Sequence, residues 1–353
     1  MAILPAGSFN TSKRVFTAFK VGDVVEGGVE KVTRGLWSGN VGTLTTFHTS
    51  SAQSATQKQY YYEIFDGVST DATSESQYSV TYGHNAGSGS LGQNEDSPSN
   101  AIYSQYAQIL LPDNQRTFSF NSVTTEHIYA INLNRARIKD RLDPGNFEIT
   151  LAKLNAHASN PEVHSSAAIT ELIDDSGDTQ QAATQIGRVY NVVSGSILNG
   201  VYSPKTYYGQ VYPEQGVIVL NADALDEAKL NFGTVVSSNT NGDNSFKLHT
   251  SISGAAAINA TNGFAARNEE KVQSTFYFVR AKNGEYNFSN NPSYTTGSNG
   301  SFAQPTFANN PKSYITTVGL YNASQQLLAV AKLSKPILKS FSNEVLVKVK
   351  LDF

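Results

Sequence analysis

Residues 344–353 read EVLVKVKLDF, and this stretch alternates strictly between two classes of side chain. A period of two places every second residue on the same face of a strand. One face is apolar and consists of Val345, Val347, Val349, Leu351 and Phe353. The opposite face carries Leu346, Lys348, Lys350 and Asp352. Because β-branched and aromatic residues suit a half-buried pleated surface, the alternation predicts a strand whose apolar face, including Phe353, lies in a core.

Two more apolar runs come before this strand. They are SYITTVGL at residues 313–320 and LLAVAKL at residues 327–333. The six polar residues between them, 321–326, are short enough for a hairpin. Strands with an open edge can pair with another subunit, and the strand at 344–353 is the best candidate for such pairing. The interface candidates in this part of the chain are Tyr294, Tyr314, Val347, Val349 and Phe353.

The composition favours β structure. The chain holds 18 Tyr, 18 Phe and 27 Gly, and only 16% of its 353 residues are charged. Aromatic residues favour strands, whereas glycine and small polar residues favour turns. We therefore expect a mainly β fold, either a β-sandwich or another β-rich multi-domain architecture, with a few short helices and long polar loops. The length predicts two or three domains, because single cores rarely grow past about 250 residues.

Polar stretches divide the chain into four expected segments. They are an N-terminal arm at 1–50, a β-rich domain at 51–155, a middle mixed β region at 156–262 and a C-terminal β domain at 263–353. Trp37, the single tryptophan, lies in the arm within GLWSGNVGTL, a stretch that predicts either a strand or an insertion into a neighbouring subunit. Residues 237–244 are polar and predict a linker or an exposed loop.

Local patterns predict two helices and one pair of loops. A short amphipathic helix is expected where Ile102, Tyr106, Ile109 and Leu110 recur at helical spacing. A second helical segment is expected at 221–230, with Asn221 as its cap. The motif FSNNPSY at 288–294 returns as FANNPKSY at 307–314. Since Asn before Pro disfavours a helix, the two copies predict paired loop anchors, each held by a Phe and a Tyr.

Charge, cysteine content and hydropathy narrow the range of partners. The net charge is -3 and the pI is about 6.1, which gives no field for binding nucleic acid or an anionic membrane. The chain has no cysteine, so disulfides, thiolate metal sites and cysteine nucleophiles are excluded. No apolar run approaches the ~18 residues of a membrane helix, and residues 1–25 lack the pattern of a signal peptide. We expect the chain to bind neither nucleic acid nor membrane.

No stretch carries a well-formed catalytic, cofactor or metal motif. GSGSLG at 87–92 matches G-x-G-x-x-G, but no helical pattern follows it, so a flexible loop is the better interpretation. Asp174, Asp175 and Asp178 lack the spacing of a calcium loop and predict an exposed turn. His157 and His164 lack the spacing of a zinc protease and predict surface histidines. We expect no catalytic residue, no cofactor, no metal site and no enzymatic activity.

Basic residues concentrate at one place, RARIKDR at 135–141. Arg135, Arg137, Lys139 and Arg141 would line one face of a strand, whereas on a helix they would scatter. Two interpretations remain open, a charged stripe that meets an acidic partner surface and a solvated face. Arg135 and Arg137 are interface candidates under the first interpretation. Aromatic residues do not interleave with the arginines, which disfavours stacking on nucleic acid bases.

Several stretches resemble a known class of proteins. In the first half they are YSVTYGH at 78–84, GSGS at 87–90, IYAINLNRAR at 128–137 and LDPGNF at 142–147. Nearer the end they are NNP at 290–292, ITTVGLYN at 315–322 and LAVAKLSKPI at 328–337. These stretches resemble virion structural proteins of large contractile-tailed phages, especially the cyanophage-type myoviruses. The resemblance implies a tail or baseplate component that is made in the host cytoplasm, resides in the virion and has no catalytic residues. Its partners would be other virion proteins and further copies of itself.

The leading functional hypothesis is a structural subunit of a phage tail baseplate that holds its neighbours through β-rich aromatic interfaces. A neck- or capsid-associated structural protein is an alternative location for the same role. A receptor- or carbohydrate-binding module of a tail fibre is an alternative of another class, because the loop at 286–294 could stack sugars on its aromatic residues. An enzyme that trims polysaccharide is the third hypothesis.

Overall fold

The structure, a computed structural model, confirms the mainly β fold class. It describes residues 2–5, 20, 22–37, 42–49, 60–68, 70–90, 97–154, 169–178, 183–226, 230, 232, 241–258, 263–289, 291–296 and 300–352. Phe353, His157 and His164 lie outside the described residues. Among the described helices, none combines the length and apolarity that spanning a membrane requires.

The strands, in chain order, are β1 (Ala2–Pro5), β2 (Val24–Gly35), β3 (Thr43–Leu44), β4 (His48–Thr49), β5 (Tyr62–Phe65), β6 (Ser76–His84), β7 (Phe118–Phe120), β8 (Val123–Thr125), β9 (His127–Leu133), β10 (Arg141–Ala152), β11 (Ile169–Asp174), β12 (Ala183–Thr184), β13 (Gly187–Arg188), β14 (Tyr190–Ser196), β15 (Gly200–Val201), β16 (Tyr207–Tyr212), β17 (Val217–Asn221), β18 (Phe264–Ala281), β19 (Thr295–Thr296), β20 (Ser301–Phe302), β21 (Ser313–Tyr321), β22 (Leu327–Lys339) and β23 (Val345–Asp352). The α-helices are α1 (Pro98–Leu110), α2 (Arg135–Ile138), α3 (Ala222–Leu225) and α4 (Asn241–Ile258). Two 3₁₀ helices cover Pro292–Tyr294 and Pro305–Ala308.

The chain divides into two compact units. The smaller unit combines Met1–Glu30 with Lys271–Phe353, and the larger unit is Lys31–Glu270. This division differs from the four consecutive segments expected from the sequence. The boundary expected near residue 155 lies inside the larger unit, because β10 and β11 pair with each other on either side of it. The boundary expected at 262 also lies inside the larger unit, which continues along β18 to residue 270.

The larger unit is built on one antiparallel sheet. Its strands follow the order β18-β10-β11-β14-β16-β17-β9-β6-β5-β4. One buried cluster on this sheet includes Val80, Ile131 and Ile218. Another cluster contains residues of α1 together with Ile128 and Val219, whose side chains lie on the opposite face of the sheet. The side chains on both faces of the central strands are therefore buried. This explains why the sequences of these strands are almost continuously apolar.

Helix α1 confirms the predicted helix, and two of the four residues expected on its inner face, Ile102 and Leu110, are buried. Ser97 caps it by accepting a hydrogen bond from the backbone N–H of Asn100, and Pro98 occupies the first turn. The buried residues include Tyr103, whereas Ile109, expected inside, is exposed. The helix lies against β6 so closely that a Cβ built at Gly83 would come within 2.9 Å of the Tyr103 backbone nitrogen. A glycine at this position therefore allows the helix and the sheet to approach this closely.

The second helical prediction is confirmed in part, and one helix was missed. Asn221 caps α3 by accepting a hydrogen bond from the N–H of Asp223, as predicted, and Leu225 and Leu230 are buried. Residues 241–244, expected to belong to a linker or exposed loop, instead begin the 18-residue helix α4. This helix buries Leu248 and Ile252 in the core of the larger unit.

The smaller unit confirms the three predicted strands near the end of the chain. β21 and β22 form the predicted hairpin, and β1 pairs with the other side of β21. β23 alternates between buried and exposed residues, with Val345, Val347 and Val349 buried. It pairs with β18 in an unbroken register from Ser274↔Asp352 to Ala281↔Val345. The valines pack against residues of β18 and β21, so the two pairs of strands form a β-sandwich-like core.

Candidate interaction surfaces

Strand β22 presents apolar side chains to solvent. Leu328 and Val330 are 67% and 55% exposed, and Leu327 and Leu338 on the same strand are also exposed. Tyr314, which lies opposite Leu338 in the register, is 52% exposed. We call these five residues the β22 surface. The structure thus places the predicted interface residue Tyr314 on an exposed apolar face.

The same strand has an open backbone edge. In the sheet order β1-β21-β22 it is the outer strand, and within the described residues no strand bonds to its other side. Proteins usually protect such edges with charges, proline or short length. β22 is 13 residues long, and its protective residues are Lys332, Lys335 and Pro336. No Asp or Glu occurs from residue 286 to residue 343, so this edge lies in a cationic stretch of sequence.

The two valines of β23 that were proposed as interface residues point into the chain itself. Val347 and Val349 are buried together with Val279, Ile315 and Val318. Their side chains therefore hold the smaller unit together and leave the exposed positions of β23 to residues such as Leu346 and Lys348. Nζ of Lys348 lies 3.8 Å from the ring centroid of Phe276. This cation–π contact covers part of the exposed face of β23.

Tyr294 lies in an aromatic cluster of the smaller unit. Its ring stacks on Phe307 with centroids 5.2 Å apart, and Phe288 meets it edge-on at 5.0 Å. The two copies of the Phe-x-Asn-Asn-Pro motif, at 288–294 and 307–314, therefore meet through Phe288, Tyr294 and Phe307. Tyr314, the tyrosine of the second copy, instead belongs to the β22 surface. Because Tyr294 is buried and stacked on Phe307, its ring is not a free platform for a sugar.

Trp37 anchors the larger unit from within. Its Nε1–H donates a hydrogen bond to Oε1 of Gln77 at 2.8 Å. Its ring packs against Phe264 with centroids 5.0 Å apart and meets Tyr78 edge-on at 6.5 Å. The indole thus already has its polar and apolar partners inside this chain. An insertion into a neighbouring subunit would have to break these contacts.

The basic residues at 135–141 do not form a strand face. Residues 135–138 form helix α2, and Lys139 has a left-handed φ of +54° before β10 begins at Arg141. Arg135 donates to the backbone carbonyls of Glu214 and Asp140 at 2.8 and 3.1 Å. Arg137 pairs with Glu75 at 2.6 Å and with Asp66 at 3.3 Å. The strand interpretation was wrong, because the chain turns within the stretch and its own carboxylates and carbonyls receive the arginines.

Arg141 belongs to a partly buried ion-pair network. Its guanidinium contacts Glu269 at 2.8 Å and Glu214 at 3.0 Å, and Lys31 contacts Glu269 at 3.1 Å. Lys31 also bonds to the buried Asp143. Burial on its own raises the pKa of Glu269, but hydrogen bonds from Arg141 and Lys31 outweigh burial and hold that pKa below its ordinary value. The basic stretch therefore stabilises the fold of the larger unit.

The acidic cluster at 174–178 is mostly buried, so the exposed-turn expectation was wrong for two of its three residues. Asp174 accepts hydrogen bonds from the N–H groups of Gly145 and Ser176 at 2.7 and 2.9 Å. Asp175 accepts two from Asn191, both at 2.9 Å. These donors occupy the carboxylate oxygens that a hard cation would need. Within the described residues, no group of three or more His, Asp and Glu residues could hold a metal ion.

The glycine-rich stretch after β6 is a loop where the structure describes it, as expected. Gly87 and Gly89 have left-handed φ values of +79° and +80°, which favour glycine. The hydroxyl of Ser97 donates to the carbonyl of Gly87 at 3.0 Å, and Asn244 donates to the carbonyl of Gly89 at 2.8 Å. The loop is thus held by its backbone carbonyls against the start of α1 and against α4.

Sequence reasoning missed one polar group, which lies where the end of β6 pairs with the start of β9. His84 and His127 are register partners, and their ring centroids are 5.6 Å apart. Nε2 of His127 lies 2.5 Å from Oδ1 of Asp223, and Thr125 donates to the other oxygen of Asp223 at 2.9 Å. Burial lowers the pKa of His84, and the neighbouring His127 lowers it further. No spacing in the sequence indicates this group, because strand pairing and the cap of α3 bring its members together.

No protein-family model, curated protein or solved structure matches this chain.

Proposed function

We propose that this chain is a virion structural protein, a component of the tail baseplate of a contractile-tailed phage, which binds neighbouring subunits through its apolar β surfaces. The observation that carries the proposal is the β22 surface, which combines exposed aliphatic side chains with an open strand edge. The sequence resemblance to virion proteins of such phages supports the particle location.

Burial of the β22 surface against a partner protein is favourable in free energy. Complete burial of one Leu or Val side chain is worth about 1.5–3 kcal/mol. Leu328 and Val330 have more than half of their surface left to bury. A partner strand would add main-chain hydrogen bonds along the same edge. Left uncovered, a long apolar edge strand promotes aggregation, so its persistence fits a chain that works inside an assembly.

The alternatives differ in what this surface would meet. A neck- or capsid-associated protein would use β22 in the same way at another place in the particle. A tail-fibre module that binds carbohydrate through the loop at 286–294 is less favoured, because Tyr294 is buried against Phe307 and not exposed for stacking. The β22 surface is aliphatic along most of its length, which suits a protein partner better than a sugar.

A pair of valine substitutions tests the proposal. Val330→Lys places a charge on the β22 surface, and Val123→Lys is the matched control because Val123 is 59% exposed on β8 in the larger unit. Each variant is expressed from a plasmid during infection by the phage that encodes the chain, after the original gene has been deleted from that phage. We expect Val330→Lys to lower incorporation into particles by at least about tenfold. The lost burial of the valine and the desolvation of the lysine together cost more than about 1.4 kcal/mol of binding free energy, which corresponds to a factor of ten. Val123→Lys should incorporate normally.

Location is measured on the same particles. Quantitative mass spectrometry of isolated baseplates, tails and heads should find the original chain enriched with baseplate proteins. Enrichment of the chain with neck or head proteins would instead favour the neck- or capsid-associated role. Equal incorporation of both valine variants would refute the role of β22, and absence of the chain from purified particles would refute the proposed function.

A further inference from the structure

A cleft of about 530 Å³ opens in the larger unit, where the ends of β5, β6 and β9 meet α1. This volume lies within the range of small-ligand sites. Its lining includes three tyrosines and three polar residues, namely Tyr60, Tyr61, Tyr106, Glu63, Asn132 and Arg135. The cleft is separate in sequence from the β22 surface, and the inference drawn from it goes beyond the assembly role.

Strand register builds a polar row along the floor of the cleft. Glu63 lies opposite Ser79, and Ser79 lies opposite Asn132. Directly opposed residues share a face of the sheet, and neighbouring strands are about 4.8 Å apart, so the three side chains follow one another across roughly 10 Å. In the part of the chain that the structure describes, the side chains of Ser79 and Asn132 make no hydrogen bond, so both are free to bond to a ligand.

Aromatic rings stand around this polar row. Tyr106 comes from α1, and its hydroxyl is held by a hydrogen bond with the side chain of Thr81. Tyr60 and Tyr61 precede β5, and Tyr60 is 42% exposed. Gln105, next to Tyr106, also lines the cleft and makes no side-chain hydrogen bond within the described residues. The cleft thus combines ring surfaces with unpaired amide and hydroxyl groups.

This combination selects one ligand chemistry. The guanidinium of Arg135 already donates to two backbone carbonyls, and Glu63 adds a negative charge, so the cleft is poorly suited to phosphate or another anion. Its polar floor disfavours a lipid chain. A sugar ring has an apolar C–H face that packs on an aromatic ring and a rim of hydroxyls that bond to amides and carboxylates. We propose that this cleft binds a neutral oligosaccharide.

The test uses the full chain and four disaccharides. Maltose, cellobiose and N,N′-diacetylchitobiose are the neutral probes, and digalacturonate is the anionic probe. Saturation-transfer NMR detects contact, and titration calorimetry gives Kd. We expect saturable binding at millimolar concentrations of at least one neutral disaccharide. Failure of all three neutral probes to bind would overturn the proposal, and preferential binding of digalacturonate would overturn the assignment of a neutral ligand.

Substitutions locate the binding site. Asn132→Ala and Tyr60→Ala should each weaken binding by about fivefold to tenfold, which corresponds to one lost hydrogen bond or one lost ring contact. Asn310→Ala and Tyr314→Ala are the controls, because both residues are exposed in the smaller unit. All four residues lie at exposed positions, so the unfolding transitions should remain close to that of the original chain. Unchanged affinity in both cleft variants would refute the site.

Discussion

Replacing His249 with glutamine should make the unfolding free energy much less sensitive to mild acid. His249 is buried on α4, and its Nδ1 makes no hydrogen bond to any part of the chain that the structure describes. Its ring lies 5.4 Å from that of Phe246, which offers no acceptor for a charged imidazolium. Burial lowers the pKa of His249 from 6.5 to about 4, because a poorly solvated site disfavours the charged form.

The sign and size of the effect follow from proton linkage. The folded state holds His249 neutral, whereas the unfolded state protonates it near pH 6.5, so the unfolded state binds more protons between pH 6.5 and pH 4. Stability contributed by this residue is therefore present above pH 6.5 and falls as the pH decreases through that window. The full loss is about 3 kcal/mol, because each pH unit is worth about 1.4 kcal/mol. At pH 5 the loss is already about 2 kcal/mol.

Denaturant unfolding at pH 8, 6, 5 and 4 measures this difference. The original chain should lose about 2 kcal/mol more than His249→Gln between pH 8 and pH 5. Glutamine can cost stability of its own in a buried site, but that cost does not depend on pH, so only the two slopes are compared. An NMR titration of the imidazole gives the pKa directly. Parallel stability curves for the two proteins, or an imidazole pKa above 6, would refute the reasoning.

Two further substitutions test the cores of the two units. Val347→Ala should lower the unfolding free energy by about 1–3 kcal/mol because it removes buried methyl groups, whereas Leu346→Ala on the exposed face of β23 should change it by less than about 0.5 kcal/mol. Similar losses in calorimetric unfolding would contradict the observed alternation. Glu269→Gln should cost about 1.5–3 kcal/mol at pH 7 because it removes charge-assisted hydrogen bonds from Arg141 and Lys31, whereas the more exposed Glu75→Gln should cost less than about 1 kcal/mol. Since the pKa of Glu269 lies below its ordinary value, its contribution to the unfolding free energy should be present above about pH 4.5 and disappear on further acidification. If the difference in unfolding free energy between Glu269→Gln and the original chain stayed constant down to about pH 2, the ion-pair network would be contradicted.

The elements that the sequence predicts well are those whose evidence is local. The alternation in β23 lies within ten residues, and the structure buries Val345, Val347 and Val349 as that pattern requires. The cap of α3 is equally local, because Asn221 bonds to an N–H only two residues away. Such features depend on side-chain direction and short-range hydrogen bonds, which the order of residues determines directly.

The elements that the sequence mispredicts depend on distant contacts. Helix α4 begins with the polar residues 241–245, which have low helix propensity, and its burial of Leu248 and Ile252 against the sheet compensates for that weakness. The basic stretch has the alternation of a strand face, but residues 135–138 form helix α2 and the left-handed backbone of Lys139 then turns the chain. The buried positions of Asp174 and Asp175 likewise depend on donors from β14 and from Gly145, where the register of β10 shifts.

The proposed sugar cleft was not visible in the sequence for a similar reason. Glu63, Ser79 and Asn132 are 16 and 53 residues apart along the chain, and only the register of β5, β6 and β9 brings them into one row. The tyrosines at 60–62 were visible, but they predict a strand equally well. Aromatic residues indicate a ligand platform only when the structure leaves their rings beside unpaired polar groups.

Strand β22 shows how a sequence pattern can point beyond the single chain. Its residues are apolar on both faces, a pattern typical of strands that are covered on both sides. Within the described chain one face is covered, since Ala331, Leu333 and Ile337 pack against the core of the smaller unit. Leu328 and Val330 on the other face remain exposed. Lys332 and Lys335 add charge to this strand without removing its apolar face. The simplest physical account of a doubly apolar strand with one covered face is that a second protein layer covers the other, and the proposed assembly role supplies that layer.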